Sequence, residues 1–246
     1  MNETLFTVAG VSITITAVYG VISLIILILF MSLWLRGRKK RTGSPIFAGQ
    51  VMNGIGFGLL PAIAILKAFQ EMSTGAGIKV NKPMPVIYWL TEEGFYRPGR
   101  IEATAALCCF AFICLWLIIR KKEIPDNGDL FMIGLCLWSA IRLVTEDFRS
   151  VSLIFFHITS CATILGCLIL WLIRRAIIMN APGRTIMDIL AVCICIAMNL
   201  AIAGKILSSG SEIGDFAAKT GSAFLMLILT LIVGGDVRKL TEKNEG

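Results

Sequence analysis

Val21-Ile22-Ser23-Leu24-Ile25-Ile26-Leu27-Ile28-Leu29-Phe30-Met31-Ser32-Leu33-Trp34-Leu35 runs without a charge straight into Arg36-Gly37-Arg38-Lys39-Lys40-Arg41. Taken from Val11, the uncharged stretch exceeds the ~20 residues that a helix needs to cross the hydrocarbon core of a bilayer. The backbone of such a segment must satisfy its own hydrogen bonds in lipid, which makes it a helix. Five cations at its end mark the cytoplasmic side.

Six further apolar runs follow: Pro45–Phe69, Ile101–Ile119, Leu130–Val144, Val151–Ile173, Thr185–Leu207 and Gly221–Val233. The fourth run of the chain, Leu130–Val144, is short and needs its charged C-terminal turn to span. Composition agrees with this pattern. The 246 residues are 57% hydrophobic and 16% charged, with mean hydropathy +0.82, whereas soluble domains carry about 25% charged residues. A water-soluble enzyme is excluded on that ground. The expected fold is an all-α integral membrane bundle of about seven transmembrane helices, one domain over residues 1–246.

Lys and Arg cluster at Arg36–Arg41, at Arg120, Lys121 and Lys122, at Arg174, Arg175 and Arg184, and at Arg238, Lys239 and Lys243. These clusters follow runs one, three, five and seven, and so share a side. The alternate loops are of mixed charge. The positive-inside rule then puts the N-terminus outside and the C-terminus in the cytoplasm, in a multi-pass protein of the cytoplasmic membrane. The net charge of +7 is accounted for in this way. The basic clusters lack the interleaved aromatics of a nucleic-acid surface, so no nucleic-acid partner is expected.

The outer loop over residues 70–100 holds Pro83, Pro85, Tyr88, Trp89, Phe95, Tyr96 and Pro98, suited to the headgroup layer and too short for a domain. Met1-Asn2-Glu3-Thr4 has no basic n-region, so the start does not read as a removable signal. All eight cysteines lie in apolar runs and none forms a CxxC pair. They read as small apolar residues. Gly54 and Gly58, followed by Pro61, read as a close helix contact with a proline kink.

Charge at span edges marks function by default. Arg142, Glu146 and Arg149 stand at i, i+4 and i+7 and share one helix face, at the outer end of span four. Tyr19 in span one, Glu102 beside Arg100 at the start of span three, and His157 in span five arrive at the same depth. A guanidinium there suits a lipid phosphate, which it can bind through two hydrogen bonds. A carboxylate or imidazole beside it can move a proton. The plainer readings are a snorkelling ion-pair cap for Arg142 and a packed core residue for His157.

These residues carry a resemblance to the prolipoprotein diacylglyceryl transferases. Tyr19-Gly20 in the first run is similar to that family's first helix. Gly134–Arg149 resembles its late helix with Arg-x-x-x-Glu-x-x-Arg, matched by Arg142, Glu146 and Arg149. Glu102 matches the Glu of a Tyr-Glu pair, with Ile101 in the place of the Tyr. The likeness covers roughly 120 residues within 1–175, and 176–246 adds two spans. It implies transfer of diacylglyceryl from phosphatidylglycerol to a lipobox cysteine thiol at the outer membrane face, without a metal or organic cofactor. Arg142 would hold the phosphate, Glu146 would orient it, and Tyr19 would line the lipid site, with Glu102, Arg100 and Arg149 alongside. The family's His-Gly-Gly helix start and Arg/Asn/Gly-rich segment have no counterpart, and His157 is the remaining candidate base. A catalytically inactive relative that binds lipid or a partner, and a small transporter subunit using Asp188 and Asn199, are the alternatives.

Overall fold

A computed structural model describes residues 4–8, 11–42, 48–70, 78–79, 91–92, 95–96, 98–120, 128–145, 154–179, 189–197, 200–201, 221, 224–228 and 230–234. Helices dominate: α1 (Ile15–Thr42), α2 (Ala48–Gln70), α3 (Pro98–Arg120), α4 (Asp129–Thr145) and α5 (Ile154–Met179). Four of them, all but α4, are long and apolar enough to cross a membrane, which supports an integral membrane protein. Residues 189–197, 224–228 and 230–234 are also helical and fall in the sixth and seventh apolar runs.

Short strands accompany the helices. β1 (Thr4–Val8) pairs antiparallel with β2 (Val11–Thr14), with Val8 opposite Val11 and a register irregularity between Thr4 and Phe6. β3 (Ile78–Lys79), β4 (Thr91–Glu92) and β5 (Phe95–Tyr96) form a three-stranded patch in the order β3-β5-β4. The first apolar run therefore divides. Val11-Ser12-Ile13-Thr14 alternates β-branched with polar residues at the period of a strand, and the helix starts at Ile15.

α1 meets α2 antiparallel through small residues. A Cβ on Gly54 would sit 3.0 Å from Met31 Cγ, and one on Gly58 would sit 2.9 Å from the Leu27 carbonyl oxygen. One turn further, the Ser23 hydroxyl donates to the Ala62 carbonyl. The pair Gly54/Gly58 is thus a close helix contact, and Pro61 lies inside α2. The opposite side of α1 presents Val21, Leu24, Ile25, Ile28 and Leu29 outward, an apolar surface too continuous for water and suited to lipid. Phe30, Phe57 and Phe110 tie α1, α2 and α3 together, with ring centroids 5.2–5.9 Å apart.

The short α4 is the centre of the bundle. One of its sides packs with α2 and α3 around Leu60, Ala64, Ala103, Ala106, Leu130 and Ile141. The other packs with α5 and the C-terminal helical residues around Cys136, Leu143, Ile164, Leu168, Trp171 and Met226. Its start is locked to α2. Gly56 touches α4 backbone to backbone, since a Cβ there would lie 2.3 Å from the Phe131 nitrogen. Asn53 Oδ1 accepts the Leu130 N–H at 3.0 Å, satisfying a first-turn donor that the helix itself cannot. Gly128 turns into the helix at φ 79°, a conformation that suits glycine. Asp129 then accepts from Trp171 Nε1 at 3.2 Å and from Arg174 at 3.0 Å, and a carboxylate in the first turn suits the helix dipole.

Candidate functional site at one end of the bundle

The end of α4 opposite this lock carries the polar centre. α2 finishes there with Lys67, α3 begins there with Glu102, and α4 ends there with Thr145. Glu102 is completely buried and Lys67 and Thr145 nearly so. Lys67 Nζ lies 3.3 Å from Glu102 Oε2. The Thr145 hydroxyl lies 3.1 Å from Glu102 Oε1 and 2.9 Å from the Ile141 carbonyl, so its single proton serves one or the other. Lys67 also stands over the Trp138 ring, 5.9 Å from its centroid, within reach of a cation–π attraction. Three helices thus deliver a carboxylate, an ammonium and a hydroxyl to one point that water scarcely reaches.

Local sequence accounts for each placement. Pro98 occupies the first position of α3, where a missing N–H costs nothing, and brings Glu102 into the second turn. The Thr104 hydroxyl donates back to the Arg100 carbonyl at 2.7 Å. Thr145 makes the same kind of i−4 bond, so its side chain lies along α4 towards α3. Lys67 sits in the last turn of α2, where a cation suits the dipole.

Of the residues singled out in the sequence, Glu102 is at the heart of this centre. Arg142 lies one turn before Thr145 on α4 and is half-buried, as is Arg100, one half-turn before Glu102 on α3. His157 is 1% exposed and lies in the first turn of α5, which packs against α4. Tyr19 is half-buried near the start of α1. The α1–α2 register (Met31 to Gly54, Leu27 to Gly58, Ser23 to Ala62) brings Tyr19 level with Leu66, beside Lys67. Glu146 and Arg149 lie outside the described residues, as do Asp188 and Asn199.

Lys67 and Thr145 were not legible as partners of Glu102, nor Trp138 as the ring beneath Lys67. Lys67 had a signal, being the only charged residue in the run Pro45–Phe69. Asp129 had one too, as an acid following a glycine on a side otherwise rich in cations. Among the described residues, no group of three or more His, Cys, Asp or Glu could hold a metal ion.

An apolar cavity of about 310 Å3 opens beside the centre, between α3, α4 and residues 224–228, with Thr145 in its wall. Its size is at the lower end of the ~300–1,000 Å3 typical of ligand pockets. A second cavity of about 170 Å3 lies towards the other end, lined in part by Trp116, Asp129 and Trp171.

No protein family, curated protein or solved structure matches this chain.

Proposed function

We propose that the chain is a cytoplasmic-membrane protein of about seven spans, N-terminus outside and C-terminus inside, that transfers diacylglyceryl from phosphatidylglycerol to a lipobox cysteine thiol at the outer face. The observation that carries this reading is the Glu102–Thr145 contact at 3.1 Å. It joins the start of α3 to the last turn of α4, one turn beyond Arg142. The two described positions with the strongest resemblance to the transferase family, Glu102 and Arg142, are far apart in sequence and lie on two helices that meet at this end of the bundle.

The roles follow from chemistry. Arg142 holds the phosphate through its planar, permanently charged fork. Glu102, fixed by Lys67 and Thr145, sets the position of the groups around it. His157 takes the thiol proton, since an imidazole changes charge near neutral pH. The sulfur then forms a thioether bond to the terminal glycerol carbon of the diacylglyceryl group. The bond from that carbon to the phosphate oxygen breaks, and glycerol phosphate leaves with the bonding electrons.

The test uses purified protein in vesicles containing labelled phosphatidylglycerol and a lipobox peptide. The expected result is a lipidated peptide, reduced about a hundredfold by Arg142→Ala, the scale of losing a charge-stabilising contact. No product, in vesicles where an authentic diacylglyceryl transferase works, overturns the reading. Reporter fusions at Gly246 test the topology: a cytoplasmic C-terminus gives a fluorescent protein that glows and an alkaline phosphatase that stays inactive.

A binding-only relative is the second reading. The full engagement of Glu102 by Lys67 favours it, because a neutralised carboxylate is a fixed scaffold element. It predicts phosphatidylglycerol bound at Arg142 and no turnover.

A further inference from the structure

The apolar cavity beside Glu102 has a definite shape. Its α3 wall runs from Ile101 to Cys109 and its α4 wall from Leu137 to Thr145. At 1.5 Å per residue each wall is about 12 Å long. Its volume of about 310 Å3 along that length is room for an extended hydrocarbon chain, whose packed width is ~4–4.5 Å. Among the described residues of the wall, Thr145 is the one with a hydroxyl, and it stands at the end where Glu102 and Lys67 meet and where α3 carries Arg100 and α4 carries Arg142. The third wall is Phe224 and Leu227, from the part of the chain beyond the transferase-like region.

We propose that this cavity takes one acyl chain of an anionic glycerophospholipid whose headgroup lies at the Thr145 end, and that Phe224 and Leu227 set the length of chain admitted. The proposal rests on the reading of the site given above for the identity of the headgroup end. The cavity surface is almost wholly apolar, as an acyl chain requires, and its Thr145 end abuts the buried Glu102 centre. The positive charge of Arg142 and Arg100 at that end complements a phosphate. Leu227 is buried while Phe224 is more than half exposed, so Phe224 can be changed in size without opening the core.

The experiment uses the full-length protein in vesicles with a phosphatidylglycerol that carries a photoreactive diazirine at carbon 8 of one acyl chain. Expected adducts map to 101–109, 137–145 and 224–228. Native mass spectrometry with phosphatidylglycerols of 8-, 10- and 14-carbon chains then reads length preference. Phe224→Trp shifts it towards shorter chains and Phe224→Ala towards longer ones, by about fourfold in affinity per methylene lost or gained. Adducts confined to the outer surface of α1, or a length preference identical in both variants, overturn the proposal. Equal labelling by a phosphatidylcholine probe overturns its headgroup end. Labelling of the cavity without peptide lipidation leaves this assignment standing and removes the transferase reading. Lipidation with adducts elsewhere does the reverse.

Discussion

Removing one partner of the Lys67–Glu102 pair should cost far more stability than removing both. At 3.3 Å and an effective dielectric of ~20, the gross attraction is about 5 kcal/mol. Lys67→Met leaves Glu102, which has no solvent exposure, as a buried carboxylate without its facing ammonium. Losses of ~3–5 kcal/mol are typical of that situation. Glu102→Gln leaves Lys67, whose long stem can carry the ammonium towards the bundle end, so the loss is about 2 kcal/mol. The double substitution leaves a Gln that still meets the Thr145 hydroxyl and a Met that fills the space of the lysine stem. Its cost is about 1 kcal/mol, because exchanging a whole buried pair is often near neutral. The coupling energy is then ~4–6 kcal/mol. Reversible unfolding in mixed micelles, followed by tryptophan fluorescence, gives all four corners of the cycle. A double variant as unstable as the sum of the two single ones refutes the argument, because the charges would then not be supporting each other.

Gly56→Ala should be the most damaging glycine substitution in α2: a methyl 2.3 Å from the Phe131 nitrogen forces α2 and α4 apart, at a cost of about 3 kcal/mol. Gly20→Ala and Gly166→Ala meet nothing within 4 Å and should raise the thermal midpoint slightly in the same detergent, because alanine is the better helix former. Asn53→Ala removes the acceptor for the Leu130 N–H and should lower stability by about 1–2 kcal/mol, read as a fall in midpoint and as faster hydrogen exchange at Leu130. Asp129→Ala removes the acceptor of the Trp171 indole N–H and of an Arg174 N–H, and should destabilise by about 2–3 kcal/mol, with a shift in the tryptophan emission. An Asp129→Ala protein with unchanged midpoint and emission would show that those two bonds do not hold the opposite end of the bundle.

The sequence made the helices plain because lipid enforces them: a run of twenty uncharged residues has few other solutions. The run Pro45–Phe69 became α2 (Ala48–Gln70) and Ile101–Ile119 became α3 (Pro98–Arg120), with differences of three residues or fewer at each end. The start of the first run was misjudged because hydropathy ignores period: Val11-Ser12-Ile13-Thr14 is apolar on average yet alternates like a strand. The site was legible only in part for a related reason. A charge in an apolar run announces a cost, but it does not name the partner that offsets it. Glu102 stood out at the start of a span; Lys67 and Thr145 are its partners through the packing of α2 and α4 against α3, a tertiary fact with no local trace. Asn53 stands beside the Gly54/Gly58 pair, and its role as the cap of a helix 77 residues away follows from the Gly56 contact that brings the two backbones together.

That contact links the two ends of the molecule. α2 and α4 are pinned at Gly56, Asn53 and Leu130, and from there both run in the same direction to Lys67 and Thr145. Their polar ends therefore meet Glu102 at a height fixed by the pin rather than by the ion pair itself. A buried ion pair is weak evidence for stability, since well-packed apolar residues would serve as well or better, and in a bilayer the desolvation involved is greater still. The bundle already has two apolar cores around α4 and the aromatic cluster of Phe30, Phe57 and Phe110 to hold it together. The physical case for Lys67–Glu102 is accordingly one of position. It fixes Thr145, a wall residue of the apolar cavity, at the level of Arg142, which is the arrangement that the proposed phospholipid, charged at one end and apolar at the other, would complete.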